Sequence, residues 1–159
     1  MRFIYDLDHT VIDSSHRQAT LADGSLDLAH WIENNTPEKI ARDSLLPLAK
    51  EMRANFKRGA EIVVCTARVL QSADYQFLRI RGLHAHAILS RPMGDSSRDH
   101  LLKERLLREY AASCGISWAR FCKFSTMLDD NQNVIEHLTS IGLWVHDAIP
   151  FNERLERLA

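Results

Sequence analysis

Five short segments rich in β-branched and aromatic residues are spread along the chain: Arg2–Tyr5, Glu61–Cys65, His86–Leu89, Lys123–Leu128 and Leu143–Val145. Stretches of helical period separate them. Strands joined through helices run parallel, and a parallel sheet needs helices on both faces to keep it from water. This alternation constrains the fold more than any other feature. It predicts the α/β class, with a parallel sheet of about five strands covered on both sides. In "DSLLPLAKEMRANFKRG" the residues Leu45, Leu48, Ala49, Met52 and Phe56 share a face, with Ser44 as the expected N-cap, Pro47 in the first turn and Gly59 as the stop. A second helix begins around Ser97 or Asp99 and carries Leu102, Leu106, Tyr110 and Cys114 before Gly115. A third carries Val134, Ile135, Leu138 and Ile141 before Gly142.

One stretch departs from the alternation. Residues 13–43, directly after the first strand, have mixed polarity, a turn signal at Asp23-Gly24 and a possible short helix in "LDLAHWIENN". They are expected to form a flap or small cap over the carboxyl end of the sheet, where open α/β sheets bind their ligands. The whole chain, 159 residues and 45% hydrophobic, is expected to be one domain (1–159) with its own core. Net charge is −1, so overall charge marks no polyanion-binding surface. Cys65, Cys114 and Cys122 are odd in number and lack C-x-x-C spacing, which reads as reduced thiols. With no signal-peptide pattern and no apolar run long enough to span a bilayer, the expectation is a cytoplasmic protein without membrane contact and without a stable protein partner.

"MRFIYDLDHT" brings an apolar strand straight into Asp6 and Asp8. In extended chain, residues i and i+2 point the same way, so the two charges share a small space. Such a pair either caps a turn or holds a cation. A second acidic pair, Asp129-Asp130, ends the strand in "FSTMLDD" in the same manner, and four carboxylates at one sheet edge favour a hard divalent ion such as Mg²⁺. Thr66 and Arg68 follow a third strand in "IVVCTAR", and Lys103 lies near the start of the long helix. Hydroxyl, ammonium, guanidinium and metal together make a phosphate cradle. A carboxylate beside a bound phosphate suggests covalent catalysis through an aspartyl phosphate.

The ordered set Asp6-x-Asp8-x-Thr10, Thr66 after a strand, Lys103 on a helix and Asp129-Asp130 after another strand resembles the haloacid dehalogenase-like (HAD) phosphohydrolase superfamily. Within it, "RPMGDSSRDHLLKERLL" is similar to the 3'-phosphatase domain of bacteriophage polynucleotide kinase, through Arg91, Gly94-Asp95, Arg98-Asp99 and Lys103. The resemblance implies a three-layer Rossmannoid fold and a set of roles. Asp6 would be the nucleophile. Asp8 would be the general acid and then the base, with a pKa raised by Asp6 and by partial desolvation. Mg²⁺ would be held by Asp129, Asp130, Asp6 and the backbone carbonyl of Asp8. Thr66 and Lys103 would bind the phosphoryl oxygens, and Thr10 would orient the loop. The expected function is hydrolysis of a phosphomonoester, first at nucleic-acid 3'-ends, alternatively as a 5'(3')-nucleotidase or small-molecule phosphatase. A binding module that retained the fold without turnover is the alternative of another class.

Two positions depart from that family pattern. His9 stands where many members carry glycine, and Asn131 where the phage domain carries a basic residue. No G-x-x-x-x-G-K-[ST] loop accompanies the motifs, so kinase activity is not expected. Arg68, Arg91 and Arg98 are the candidates for gripping the remainder of a nucleotide or DNA end, although Arg98 reads better as solvated or paired with Asp95 or Asp99. Trp31 is either a stacking platform or flap packing. Trp118 and Trp144 read as core or near-core residues. His84 and His86 read as surface residues, and His146-Asp147 as peripheral.

Overall fold

A computed structural model describes all of residues 1–159. Its main sheet has five parallel strands in the order β5-β4-β1-β6-β7. These are β1 (Arg2–Tyr5), β4 (Glu61–Thr66), β5 (Ala87–Ser90), β6 (Ser125–Asp129) and β7 (Trp144–Asp147). Strands β4 and β5 add on one side of β1, and β6 and β7 on the other, so the winding reverses at β1. Side chains alternate across the sheet, and the core divides accordingly. Tyr5, Ile62, Val64 and Leu128 face one layer, with α3 (Leu48–Lys57), α4 (Ser72–Ile80) and α8 (Ala148–Leu158). Ile4, Val63, Cys65 and Met127 face the other, with α5 (Asp99–Ser113), α6 (Trp118–Lys123) and α7 (Gln132–Ser140). The α/β class with helices on both faces is as the alternation predicts.

The segment after β1 builds a small second sheet. β2 (Ile12–Asp13) pairs antiparallel with β3 (Ser44–Leu45), and between them lie a 3-10 turn (Ser15–Arg17), α1 (Leu28–Asn34) and α2 (Pro37–Ile40). The Asp23-Gly24 turn forms, with Gly24 at φ +83° and Thr20 bridging Leu26.

Several local expectations are corrected. Ser44 is not an N-cap: it pairs with Asp13, and α3 starts later, with Pro47 at its cap position. Lys123 belongs to α6, where Ser117 caps the helix and Phe121 and Cys122 are buried, so β6 starts at Ser125. Helices α4, α6 and α8 go unread, although α4 and α8 are amphipathic. α4 begins with a reciprocal Gln71/Asp74 capping box, and α8 with Asp147, whose side chain accepts from the Ile149 N–H. On α5 the buried line is Leu102, Leu107 and Ala111, and Cys114 at its end is exposed. Trp144 is 66% exposed, because β7 is an edge strand, and its indole donates to His146 Nε2 at 2.8 Å. Trp118 is half-buried, stacked on Phe121, with its indole bonded to the Ile141 carbonyl.

Asn152 on α8 joins distant parts of this frame. Its Oδ1 accepts the Leu48 N–H at 2.8 Å, and its Nδ2 donates to the Thr10 carbonyl at 2.9 Å. Replacing Asn152 with Ala strands both backbone groups, at a cost of about 2–3 kcal/mol. The expected result is a melting temperature lower by roughly 4–12 °C. An unchanged midpoint would show that water replaces both bonds.

Candidate active site

The carboxyl ends of β1, β4 and β6 converge under a cavity of about 810 Å³ that Asp6, Asp8, Thr66, Arg68, Lys103 and Asp129 help to line. At the end of β1 the chain folds into a tight loop. The N–H groups of Thr10, Val11 and Ile12 all donate to the Leu7 carbonyl, and His9 returns its N–H to the Ile12 carbonyl. This closure requires the left-handed region at His9, whose φ is +58°. A non-glycine residue there is strained, and the His9 ring is anchored at 2.9 Å from Gln18 Oε1. The buried Thr10 hydroxyl is 3.5 Å from Asp6 Oδ2.

Asp6, Asp129 and Asp130 bring carboxylate oxygens within 4.8 Å of one another. The buried Lys103 ammonium lies among them, 2.8 Å from Asp6 Oδ1 and 2.6 Å from Asp129 Oδ2. Burial pushes the Asp6 carboxyl well above the ordinary range. Lys103 opposes that shift, while Asp129, Asp130 and Asp8 add to it. Asp130 is raised to about 6, by burial and then by Asp129. Burial works against the Lys103 charge, but Asp6 and Asp129 more than restore it and hold the ammonium protonated. One ammonium thus faces three carboxylates. Hard oxygen donors with excess negative charge suit a divalent cation of the Mg²⁺ type.

Asp8 has other partners. It accepts from Ser14 Oγ at 2.6 Å and from Arg68 through Nε at 3.1 Å and through Nη2. Burial pushes the Asp8 carboxyl up, but the Arg68 charge and hydrogen bonds, aided by Ser14 and Arg17, pull it below its ordinary value. The sequence-based expectation of a raised Asp8 is therefore corrected, since its nearest charge is a guanidinium and not Asp6. Arg68 is itself buried, and its Nη1 donates to Asp74 Oδ1 at 2.5 Å. Thr66 is buried, and its Oγ1 accepts the Arg68 N–H at 3.1 Å.

Arg91 is also committed within the protein. It donates to the carbonyls of Ala67, Asp95 and Ser97 and to Asp99 Oδ1, between 2.7 and 3.0 Å, and so ties the loop before α5 to the loop after β4. Arg98 is exposed and is not part of the cavity lining. Asp95 pairs with Arg105, while Asp99 takes Arg91 and, at 3.5 Å, the Asn131 amide. His84 and His86 are exposed, each with its ring beside that of Phe56, and gather no third ligand.

Sequence reading missed a buried ionic chain behind the site. Arg17, with no exposed surface, donates through Nε and Nη2 to the equally buried Asp43, and through Nη1 to Asn35 Oδ1. Asp43 also meets His16 at 2.8 Å and lies 3.7 Å from Arg68. The partners are far apart in a polar segment, so only an arginine and an aspartate flanking a turn and a helix hinted at them.

A family profile described as bacteriophage T5 5'-deoxynucleotidase matches residues 1–158. The chain belongs to the bacteriophage T5 5'-deoxynucleotidase family. The 5'-deoxynucleotidase of Escherichia phage T5 is 32% identical over 174 aligned positions, which take in 96% of this chain and 68% of that protein. Among solved structures, a HAD-superfamily hydrolase from Geobacter sulfurreducens superposes with a TM-score of 0.63 at 13% identity, covering 91% of this chain and 86% of that one. A chain of the Pnkp1/Rnl/Hen1 RNA repair complex gives 0.60 at 18%, covering 92% of this chain. Only 41% of that larger chain is spanned, and at these identities the likeness concerns the fold. The fold is HAD-like. No helix is long and apolar enough to cross a membrane.

The raised Asp130 carboxyl has a measurable consequence. A carboxyl whose folded-state pKa lies above its unfolded value weakens the fold as pH rises through that interval, here from about 4 to about 6. Asp130→Asn is expected to stabilise the chelator-treated protein at pH 8 by about 1–3 kcal/mol. The gain should fall to about half at pH 5 and reverse when Mg²⁺ is added. Denaturation midpoints under the three conditions check it, and a variant no more stable than wild type at pH 8 would contradict the repulsion.

Proposed function

We propose that the protein is a Mg²⁺-dependent phosphomonoester hydrolase that works through an aspartyl phosphate on deoxynucleoside 5'-monophosphates. The observation that carries this reading is the cluster of Asp6, Asp129 and Asp130 around Lys103 on the floor of the cavity. Asp6 is the nucleophile, since it is buried, bonded to Lys103 and open to the cavity. Lys103 and the Thr66 hydroxyl receive phosphoryl oxygens. Asp8, held by Arg68 and Ser14, handles the proton of the leaving alkoxide and then of the attacking water. Protonation of Asp8 comes with the substrate, whose phosphate sets negative charge against the pull of Arg68. Asp6, Asp129 and Asp130 would hold Mg²⁺, which supplies neutralisation of charge on the transferring phosphoryl group. Residues 13–43 act as a minimal cap.

The relative's name supports a 5'-nucleotide substrate. Arg68 and Arg91, the expected grips on the remainder of a nucleotide or DNA end, are turned to internal partners and favour neither substrate. An end of nucleic acid bearing a 3'-phosphate is the second reading, favoured by the likeness across residues 91–103 and by the exposed Arg98.

Phosphate release from a deoxynucleoside 5'-monophosphate, a 3'-mononucleotide and a 3'-phosphorylated oligonucleotide, with Mg²⁺ and with chelator, separates the readings. The 5'-nucleotide is expected to be preferred at least about tenfold, with activity lost on chelation and lowered by about 10³-fold or more in Asp6→Asn. Preference for the oligonucleotide would transfer the assignment to 3'-ends. Retained activity in Asp6→Asn would remove the phosphoaspartate.

A further inference from the structure

Helix α1 leaves its apolar side uncovered. None of its seven residues is buried, and Leu28 and Ile32, one turn apart, are 62% and 66% exposed. Leu26, just ahead of the helix, is 44% exposed. Single exposed apolar residues are ordinary on a protein surface. These three, however, line one cavity together with Trp31, and the same cavity contains Asp6, Lys103, Asp129 and Asp130. The uncovered wall is therefore continuous with the phosphate end of the site.

The wall is held in place from behind. The Arg17 guanidinium carbon is 4.3 Å from the centroid of the Trp31 ring, while its nitrogens bond Asn35 at the end of α1 and the buried Asp43. The Arg68 guanidinium carbon is 5.4 Å from the same centroid, and Arg68 also grips Asp8. Trp31 and Asp8 are thus neighbours of a single guanidinium. A nucleoside 5'-phosphate whose phosphorus sits at Asp6 extends its other end toward this wall. The polar side chains beside the wall are already engaged: His9 with Gln18, and the Gln18 amide with Ser14 Oγ at 2.9 Å.

Resting on the nucleotide reading above, we infer that Leu26, Leu28, Trp31 and Ile32 form the nucleobase subsite, which takes the base by apolar contact and does not read its hydrogen-bonding edge. The enzyme then requires a base and tolerates which base it is. Apolar contact discriminates weakly between rings of similar size, and base–aromatic contact is tolerant of sequence for the same reason.

The test compares kcat/KM for the four deoxynucleoside 5'-monophosphates with that for deoxyribose 5-phosphate, in wild type and in Leu28→Gln/Ile32→Gln. Both substitutions are on exposed positions, and circular dichroism verifies the fold. In wild type the four nucleotides should fall within about fivefold of one another, and the base-free sugar phosphate should be at least about tenfold poorer. In the double variant the nucleotide-to-sugar ratio should fall toward one, chiefly through KM. Deoxythymidine should inhibit p-nitrophenyl phosphate hydrolysis competitively, and about tenfold more weakly in the variant. A wild-type ratio near one, a ratio unchanged in the variant, or one base favoured by more than about a hundredfold would each overturn the subsite. If p-nitrophenyl phosphate is hydrolysed and no nucleotide is, the nucleotide reading itself falls.

Discussion

The ammonium of Lys103 is the constraint around which the structure is arranged. It projects from α5 to two strand ends at once, bonding Asp6 after β1 and Asp129 at the end of β6. Both carboxylates are buried and find their charged partner in it, and removing one partner of such a pair costs about 3–5 kcal/mol. The same contact fixes how α5 lies across the sheet, because Lys103 is inserted among the buried residues Leu102, Leu107 and Ala111. Packing and chemistry therefore share one side chain. The charge it leaves uncompensated, on Asp130 above all, is what makes the site receptive to a cation.

A second set of buried charges joins the segment after β1 to the body. Arg17, Asp43 and Arg68 alternate in sign through the interior, and Arg68 branches to the half-buried Asp8 and the buried Asp74. A run of this kind is costly to bury, and its return is geometric, since each bidentate guanidinium fixes the plane of the carboxylate it meets. Asp8 is held by Arg68, and Trp31 is braced by Arg17. Asp8 and the apolar wall thereby share a common support.

Much of this was legible from the chain alone. The five strands were readable within about two residues at either end because buried parallel strands leave unbroken runs such as Ile62–Cys65. The carboxylates, Thr66 and Lys103 were readable because short motifs put them directly after strands or at a helix start. The partners of the arginines were not. Arg17 and Asp43 are separated by 26 positions, and Arg68 and Asp8 by 60, so their pairing is a product of tertiary structure. For that reason Arg68 and Arg91 read as free cations, whereas each is consumed internally. Asp8 was misjudged in the same way, since its neighbour in sequence, Asp6, is not its neighbour in charge. The helices α4 and α8 are amphipathic but go unread, and α6, with six residues, is too short to show a period.

Asn152 adds a temporal dimension. It holds the carbonyl of Thr10, inside the loop that carries Asp6 and Asp8, across a separation of 142 positions. A ribosome adding roughly 5–20 residues per second needs about 7–28 s to supply that partner after the loop itself has been made. Throughout that interval the two aspartates are present but their loop lacks one of its anchors. The sheet can begin to assemble from β1 and β4 while this loop is still unfinished. Final ordering of this loop thus waits on a residue made 142 positions later.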